Sequence, residues 1–287
     1  MITEIKRNRA TNSMLTPAQK VKIARNINRP HIDDYIENIF TDFFEQKGDH
    51  LYDEDQSILG GIARFRGIPV SIIGHRKGHT LEDNIKFNFG MPRPEGYRKA
   101  LRIMEQAEKF SRPIITFIDT PGAYPGKESE EHGQGEAIAR NIAAMSSFKV
   151  PIISVVTGEG NSGGALAIGV ANRIIMLENS VYSILSPEGF ASILWKDAER
   201  HEEACALMKL TAHDLVDSGV ADEVVKEPEG GAHLNPEELY KNLEISLEKN
   251  LSALSQLTPD EVFLDRKRKF REIGNFEQEG TLKKSLI

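Results

Sequence analysis

An α/β fold built on parallel strands is what this 287-residue sequence predicts. Two observations carry that expectation. The first is the stretch VPIISVVTGEGNSGGALAIGV, residues 150–170. Its β-branched apolar run, 151–157, ends at Gly158, Gly160, Gly163 and Gly164, and small residues follow over 165–171. This reads as a strand that turns through glycines into a buried helix. The second is the same pattern upstream. The run PIITFI, 113–118, enters the glycine-proline loop DTPGAYPG, 119–126, and a helical stretch over 134–147 returns the chain to Val150. Parallel strands need crossovers of this kind.

Taken in order, residues 17–26 read as a short helix. Pro30 suits a first helical position, and Ile32, Tyr35, Ile36, Ile39, Phe40, Phe43 and Phe44 then follow helical spacing. That stripe is assigned to the core or to a subunit contact. Residues 58–65 and 68–73 flank Arg66-Gly67 and read as a hairpin. A helix is expected from Pro94 to about Phe110, with later strands near 173–177, 181–184 and 221–225. Residues 228–236 read as a glycine-proline linker, and a helical region with a heptad-like tail runs from Glu237 to about Phe270. Residues 277–287 read as loose and polar.

The glycine corner is where chemistry is expected. A strand that turns sharply into a helix aims unpaired N–H groups at whatever lies above it. Gly158-Glu-Gly160-Asn-Ser-Gly163 fits the dinucleotide pattern G-x-G-x-x-G, and Glu178 stands about 20 residues on, where that fold places its ribose-binding acid. Gly160-Asn-Ser162-Gly-Gly164 fits the nucleophile elbow G-x-S-x-G. A third reading makes Gly163 and Gly164 paired oxyanion donors. A fourth is a turn needed only for packing. On this stretch alone the readings stay open. The second loop, 119–126, weighs on the choice, because ligands of parallel sheets collect at the carboxyl ends of strands. Two converging loops make a hole for one oxygen, whereas a dinucleotide needs only one. The elbow would need an acid and a histidine, for which Asp197/His201 and Asp222/His233 are the formal candidates.

Five motifs in order then make a specific resemblance: LGGIARFRGIPVSIIGHRKG (59–78), NFGMPRPEGYRKALRIM (88–104), IDTPGAYPG, GEGNSGGALAIG and LSPEGFASILW (185–195). They resemble the carboxyltransferase α-subunit family of bacterial acetyl-CoA carboxylase, over about residues 30–270. LTAHDLVDSGVADEVV, 210–225, is similar to the crotonase superfamily generally. Family members often carry a long charged helical extension ahead of the shared motifs. The resemblance implies a crotonase-type spiral of ββα units with helical segments at both ends. It divides the chain into an N-terminal helical segment (1–56), a carboxyltransferase core (57–227) and a linker with a C-terminal helical region (228–287), read together as one domain.

The activity implied is transfer of a carboxyl group from carboxybiotin, presented by a biotin carboxyl carrier protein, to acetyl-CoA, giving malonyl-CoA for fatty acid synthesis. Gly163 and Gly164 would donate to the biotin ureido oxygen. Gly122, Ala123, Tyr124 and Gly126 would line the same pocket. A β subunit, in an α2β2 assembly, would supply the thioester hole and any zinc site. Biotin carboxylase completes the expected set of partners. The biotin nitrogen can take the α-proton, so the family needs no protein general base.

Composition is consistent with a cytoplasmic enzyme subunit, 39% hydrophobic and 28% charged. Cys205 stands alone, which excludes an internal disulfide and a cysteine-rich zinc site, and it reads as a buried thiol. No apolar run reaches about 18 residues, so no membrane span is expected. The first residues, MITEIKRNRA, lack a signal peptide's apolar core. The eight histidines show no metal spacing, and no metal is expected in this chain. His132 reads as a loop-fixing residue, and Glu128, Glu130 and Glu131 as a solvated acidic loop. The net charge of −7 is uneven: residues 1–112 hold 19 Lys and Arg against 15 Asp and Glu, and the rest 17 against 28. Arg76 and Lys77, at a strand end beside Gly74 and Gly78, are the cations expected to draw an anionic substrate. No aromatic interleaving points to nucleic acid.

Overall fold

A computed structural model describes residues 15–274. The readings made for MITEIKRNRA and for 277–287 lie outside the described residues. Helix α1 (Pro17–Ala24) starts at Thr16, whose hydroxyl and Gln19 form a reciprocal cap. Helix α2 (Ile32–Ile39) buries Ile32, Tyr35, Ile36 and Ile39. The expected stripe then breaks. Phe40 is extended, Asp42 has φ of 55°, and Phe43 and Phe44 belong to strand β1 (Thr41–Glu45). A helical spacing of aromatics continued across a chain reversal, so the period misled.

Strands β2 (Ile58–Phe65) and β3 (Ile68–His75) form the expected antiparallel hairpin. Arg66 and Gly67 both take positive φ, 48° and 81°, as in the mirror-image turns that suit strand twist. Helices α3 (Leu81–Lys86) and α4 (Pro94–Lys109) lead to β4 (Ile114–Thr120). Helices α5 (Lys127–Glu131) and α6 (Gln134–Ser147) lead to β5 (Ile152–Asn161). Helix α7 (Ser162–Leu166) is shorter than the 165–171 helix expected, because the Ile168 and Gly169 N–H groups bond back only three residues, to Ala165 and Leu166, and the chain leaves the helix for β6 (Arg173–Leu177). Then come β7 (Val181–Ser183), α8 (Pro187–Trp195), α9 (His201–Met208), α10 (Ala212–Asp217) and β8 (Glu223–Val225). The long C-terminal helical region is two helices, α11 (Pro236–Leu254) and α12 (Pro259–Glu272). Thr258 and Glu261 cap the second, and Pro259 takes its first position.

The sheet runs β1-β2-β3-β4-β5-β6-β8, antiparallel over its first three strands and parallel from β3 onward. This is the crotonase-type α/β arrangement, with helical segments at both ends. β5 changes neighbour along its length. Its first part pairs β6, and its last residues, Glu159 to Asn161, pair β7. The sheet splits at that point, and the corner hangs over the split.

Alternation along β4 fills two cores. Ile115 and Phe117 face α2 and α11, and Ile114 and Ile118 face α4 and α6. The first core takes residues from Ile32 to Phe40, from the sheet, and from Leu239 to Leu254. Residues 32–40 and 239–254 therefore share a core with the sheet.

Candidate functional site

The carboxyl ends of β4 and β5 lie side by side, with Thr120 opposite Gly160. Each strand feeds a backbone-rich loop, and the loops meet. Ser162 turns β5 into α7 through a left-handed φ of 60°. The two residues after it sit in the first helical turn, where N–H groups have no carbonyl four residues back. Gly164 is buried against the other loop. A Cβ there would lie 2.6 Å from Ala123 N, 2.7 Å from Gly122 C and 2.9 Å from Tyr97 Oη. At Gly163 a Cβ would meet only Ile138, at 3.5 Å. One reason for glycine at an oxyanion donor is room for the ligand oxygen. The geometry gives a different one at Gly164: the two loops touch backbone to backbone, and no side chain fits between them.

The loop after β4 is fastened at both ends. Thr120 Oγ1 donates to the Gly122 carbonyl at 2.8 Å and accepts from its N–H at 3.0 Å. Gly122 takes φ of 145°, with open space where a Cβ would stand. Tyr124 N–H donates to the Pro92 carbonyl, which also accepts from Gln134 Nε2, each at 2.9 Å. The Tyr124 ring covers Gly126, and the Arg93 guanidinium lies 5.2 Å over that ring. Gly122, Ala123, Tyr124 and Gly126 are thus one pinned loop beside Gly163 and Gly164. His132 belongs to its fastening: Nδ1 lies 2.9 Å from Glu95 Oε1, and its carbonyl accepts from Arg98.

Arg76 and Lys77 do not offer free charge. Arg76 holds Asp33 through Nε at 3.0 Å and Nη2 at 2.6 Å, with its guanidinium over the Phe87 ring. Lys77 Nζ donates to Asp119 Oδ1 at 2.7 Å and lies 3.5 Å from Glu159 Oε1. The expectation that this pair draws an anionic substrate is revised, because each cation is already neutralised within the chain.

Asp119, Glu159 and His75 are the residues that sequence reasoning missed. Burial alone would raise the Asp119 pKa, but the Lys77 ammonium, with His31, outweighs it and holds the carboxyl well below the usual range. Burial acts against the Lys77 charge too, and Asp119 and Glu159 outweigh it and raise its pKa. His75 is fully enclosed, and burial pushes its pKa down to about 3. Asp119 opens the very motif that marks the loop, so its place at a strand end was the available signal. A cavity of about 320 Å³ opens beside this cluster, lined by Arg25, His31, Lys77, Asp119, Pro121 and Glu159 among others. Gly163 and Gly164 do not line it.

The competing readings of the corner find no partners. No side chain among the described residues hydrogen-bonds to Ser162 Oγ. Asp222 accepts from Ile174 N–H and Lys269, and His233 lies 3.3 Å from Asn26 Nδ2, so these two do not form a relay. Glu178 accepts the Glu227 N–H and fastens a loop. Among the described residues no group of three or more His, Cys, Asp or Glu side chains could hold a metal ion. No helix among them is long and apolar enough to cross a membrane.

Comparison with known proteins gives the family. Residues 3–274 match the family model described as acetyl co-enzyme A carboxylase carboxyltransferase-like. The chain belongs to that family. A carboxyltransferase relative, acetyl-coenzyme A carboxylase carboxyl transferase subunit alpha of Halalkalibacterium halodurans, is 55% identical over 262 residues, 91% of this chain and 81% of the relative. The subunit of that name from Clostridium acetobutylicum is also 55% identical, over 91% of this chain and 96% of its own. Among solved structures, transcarboxylase 12S shares the carboxyltransferase fold at TM-score 0.63 and 18% identity, over 83% of this chain. This chain spans 45% of the 12S chain. A chain of a Pseudomonas malonate decarboxylase hetero-tetramer matches at TM-score 0.61 and 18% identity, over 75% of this chain and 90% of its own.

Proposed function

We propose that this chain is the biotin-facing half of a carboxyltransferase site, completed by a β subunit, that moves a carboxyl group from carboxybiotin to acetyl-CoA. The observation that carries the reading is the backbone contact of Gly164 with Gly122 and Ala123. It brings the Ala123 main-chain nitrogen against the start of α7 and leaves no side chain between the two loops. Carboxybiotin, carried on a separate protein, supplies the carboxyl group, and its ureido oxygen gains negative charge as that group leaves. In this reading the Gly163 and Gly164 N–H groups donate to that oxygen. Preorganised donors of this kind lower a barrier without reorganising, at about 3–4 kcal/mol each. In this reading the loop of Gly122, Ala123, Tyr124 and Gly126 would line the biotin side of the site. Arg76 and Lys77 are not assigned to substrate.

The half-site lacks a thioester hole, which we assign to the β subunit together with any zinc. We take the assembly to be two α with two β, served by a biotin carboxyl carrier protein and biotin carboxylase in the cytoplasm. The test is complementation. The purified chain alone should not decarboxylate malonyl-CoA in the presence of a biotin analogue, and addition of a β subunit should restore the reaction. Turnover by the chain alone at the rate of the mixture would reject the half-site.

A further inference from the structure

β5 is irregular at the root of the corner. The step from Ile118 to Thr120 on β4 faces the longer step from Val156 to Gly160 on β5. Such a bulge leaves ladder groups unpaired and re-aims the strand. Charged side chains, one from the paired strand and one from the segment before α2, take up two of those groups. Asp119 Oδ1 accepts the Glu159 N–H at 3.1 Å, and Arg29 Nη2 donates to the Thr157 carbonyl at 2.8 Å. The Asp119 carboxylate occupies the space beside Gly158, where a Cβ would stand 2.7 Å from Asp119 Cγ. Lys77 binds the same Asp119 oxygen at 2.7 Å. Glu159 in turn accepts from Arg25 Nε at 2.9 Å and from Asn161 Nδ2 at 3.3 Å, one residue before the left-handed Ser162.

For stability alone, a buried ion pair offers little over apolar packing of the same volume. A carboxylate here does what an apolar group could not: it accepts the Glu159 N–H inside the bulge. It also stands directly before the loop of Gly122 and Ala123, so a single side chain ties the roots of both loops.

We propose that Asp119, held by Lys77, is a positioning residue that fixes the β5 bulge and thereby aims the Gly163 and Gly164 N–H groups. It sets turnover without touching substrate. The proposal rests on the oxyanion reading of that corner.

The test uses the complete α/β assembly, malonyl-CoA and a biotin analogue. Asp119→Asn keeps the size of the side chain and removes its charge. Its kcat should fall about 10- to 100-fold, the scale of a donor misplaced by about 1 Å, with KM for malonyl-CoA unchanged. Deuterium exchange should quicken at amides 157–165 and stay unchanged in α11. Lys77→Arg should retain most of the turnover that Lys77→Gln loses. Lys77→Gln keeps the Asp119 acceptor but removes the ammonium that holds it against the Glu159 N–H, and serves if Asp119→Asn does not assemble. Loss of protection throughout the sheet and α11 would make the cluster a general fold element and overturn the proposal. Wild-type turnover in Asp119→Asn would also overturn it. The oxyanion reading fails separately: replacing the Gly164 amide by an ester would then leave turnover intact, whatever Asp119→Asn does.

Discussion

Gly164→Ala separates a hole built by two touching loops from a glycine turn that only packs. The added methyl would stand 2.6 Å from Ala123 N and 2.7 Å from Gly122 C, where ordinary contact begins near 3.4 Å. One loop must retreat by about 0.8 Å, an overpacking that costs about 1–3 kcal/mol. The same retreat spoils the placement of main-chain donors. A displacement of about 1 Å costs about 100-fold in rate. Gly163→Ala is the matched control. Its methyl meets Ile138 at 3.5 Å, an ordinary contact, so stability should change by no more than about 0.5 kcal/mol. Because that methyl points at α6, turnover should fall less than about fivefold, well short of a lost donor. The assay is kcat and KM for malonyl-CoA decarboxylation by the α/β mixture, beside thermal melting of each variant. Equal damage from the two substitutions, or full turnover in Gly164→Ala, would refute the geometry.

Two further outcomes follow. Ser162→Ala should keep most carboxyl transfer, since no side chain hydrogen-bonds to the hydroxyl; a dead variant, in a chain that cleaves activated esters, would favour a hydrolase. His75 should couple stability to acid. Its folded pKa of about 3 lies below the unfolded 6.5, so the unfolded chain binds the proton first and stability falls as pH drops through that window. From about pH 7 to about pH 4.5 the loss is about 2–3 kcal/mol, read by urea unfolding. His75→Gln should flatten that dependence, and an unchanged slope would contradict it.

Local chemistry made much of the fold legible. Arg66-Gly67 marked the hairpin, and helix α6 and strand β6 fell where periodicity placed them. The turn at the corner was legible because glycines cluster at 158–164, directly after an apolar β-branched run. What stayed hidden depends on contacts between distant parts of the chain. Phe43 and Phe44 keep a helical spacing with α2, yet pair with β2 across a reversal at Asp42. Asp119 and Glu159 are remote in sequence, and only the register of β4 against β5 brings them together. Lys77 read as a cation awaiting a ligand, because its two carboxylates lie on other strands.

The donor role of the corner can be tested without adding an atom. Glycolic acid in place of Gly164 replaces its amide by an ester, which removes the N–H and weakens the Gly163 carbonyl that accepts the Ala167 N–H at 2.9 Å. Malonyl-CoA and the biotin analogue are then titrated separately against the α/β assembly. Biotin-dependent turnover should fall about 100-fold or more, the scale of one oxyanion donor, with KM for malonyl-CoA little changed. A chain that turned over normally, or whose defect lay wholly in malonyl-CoA binding, would show that this N–H does not serve the ureido oxygen.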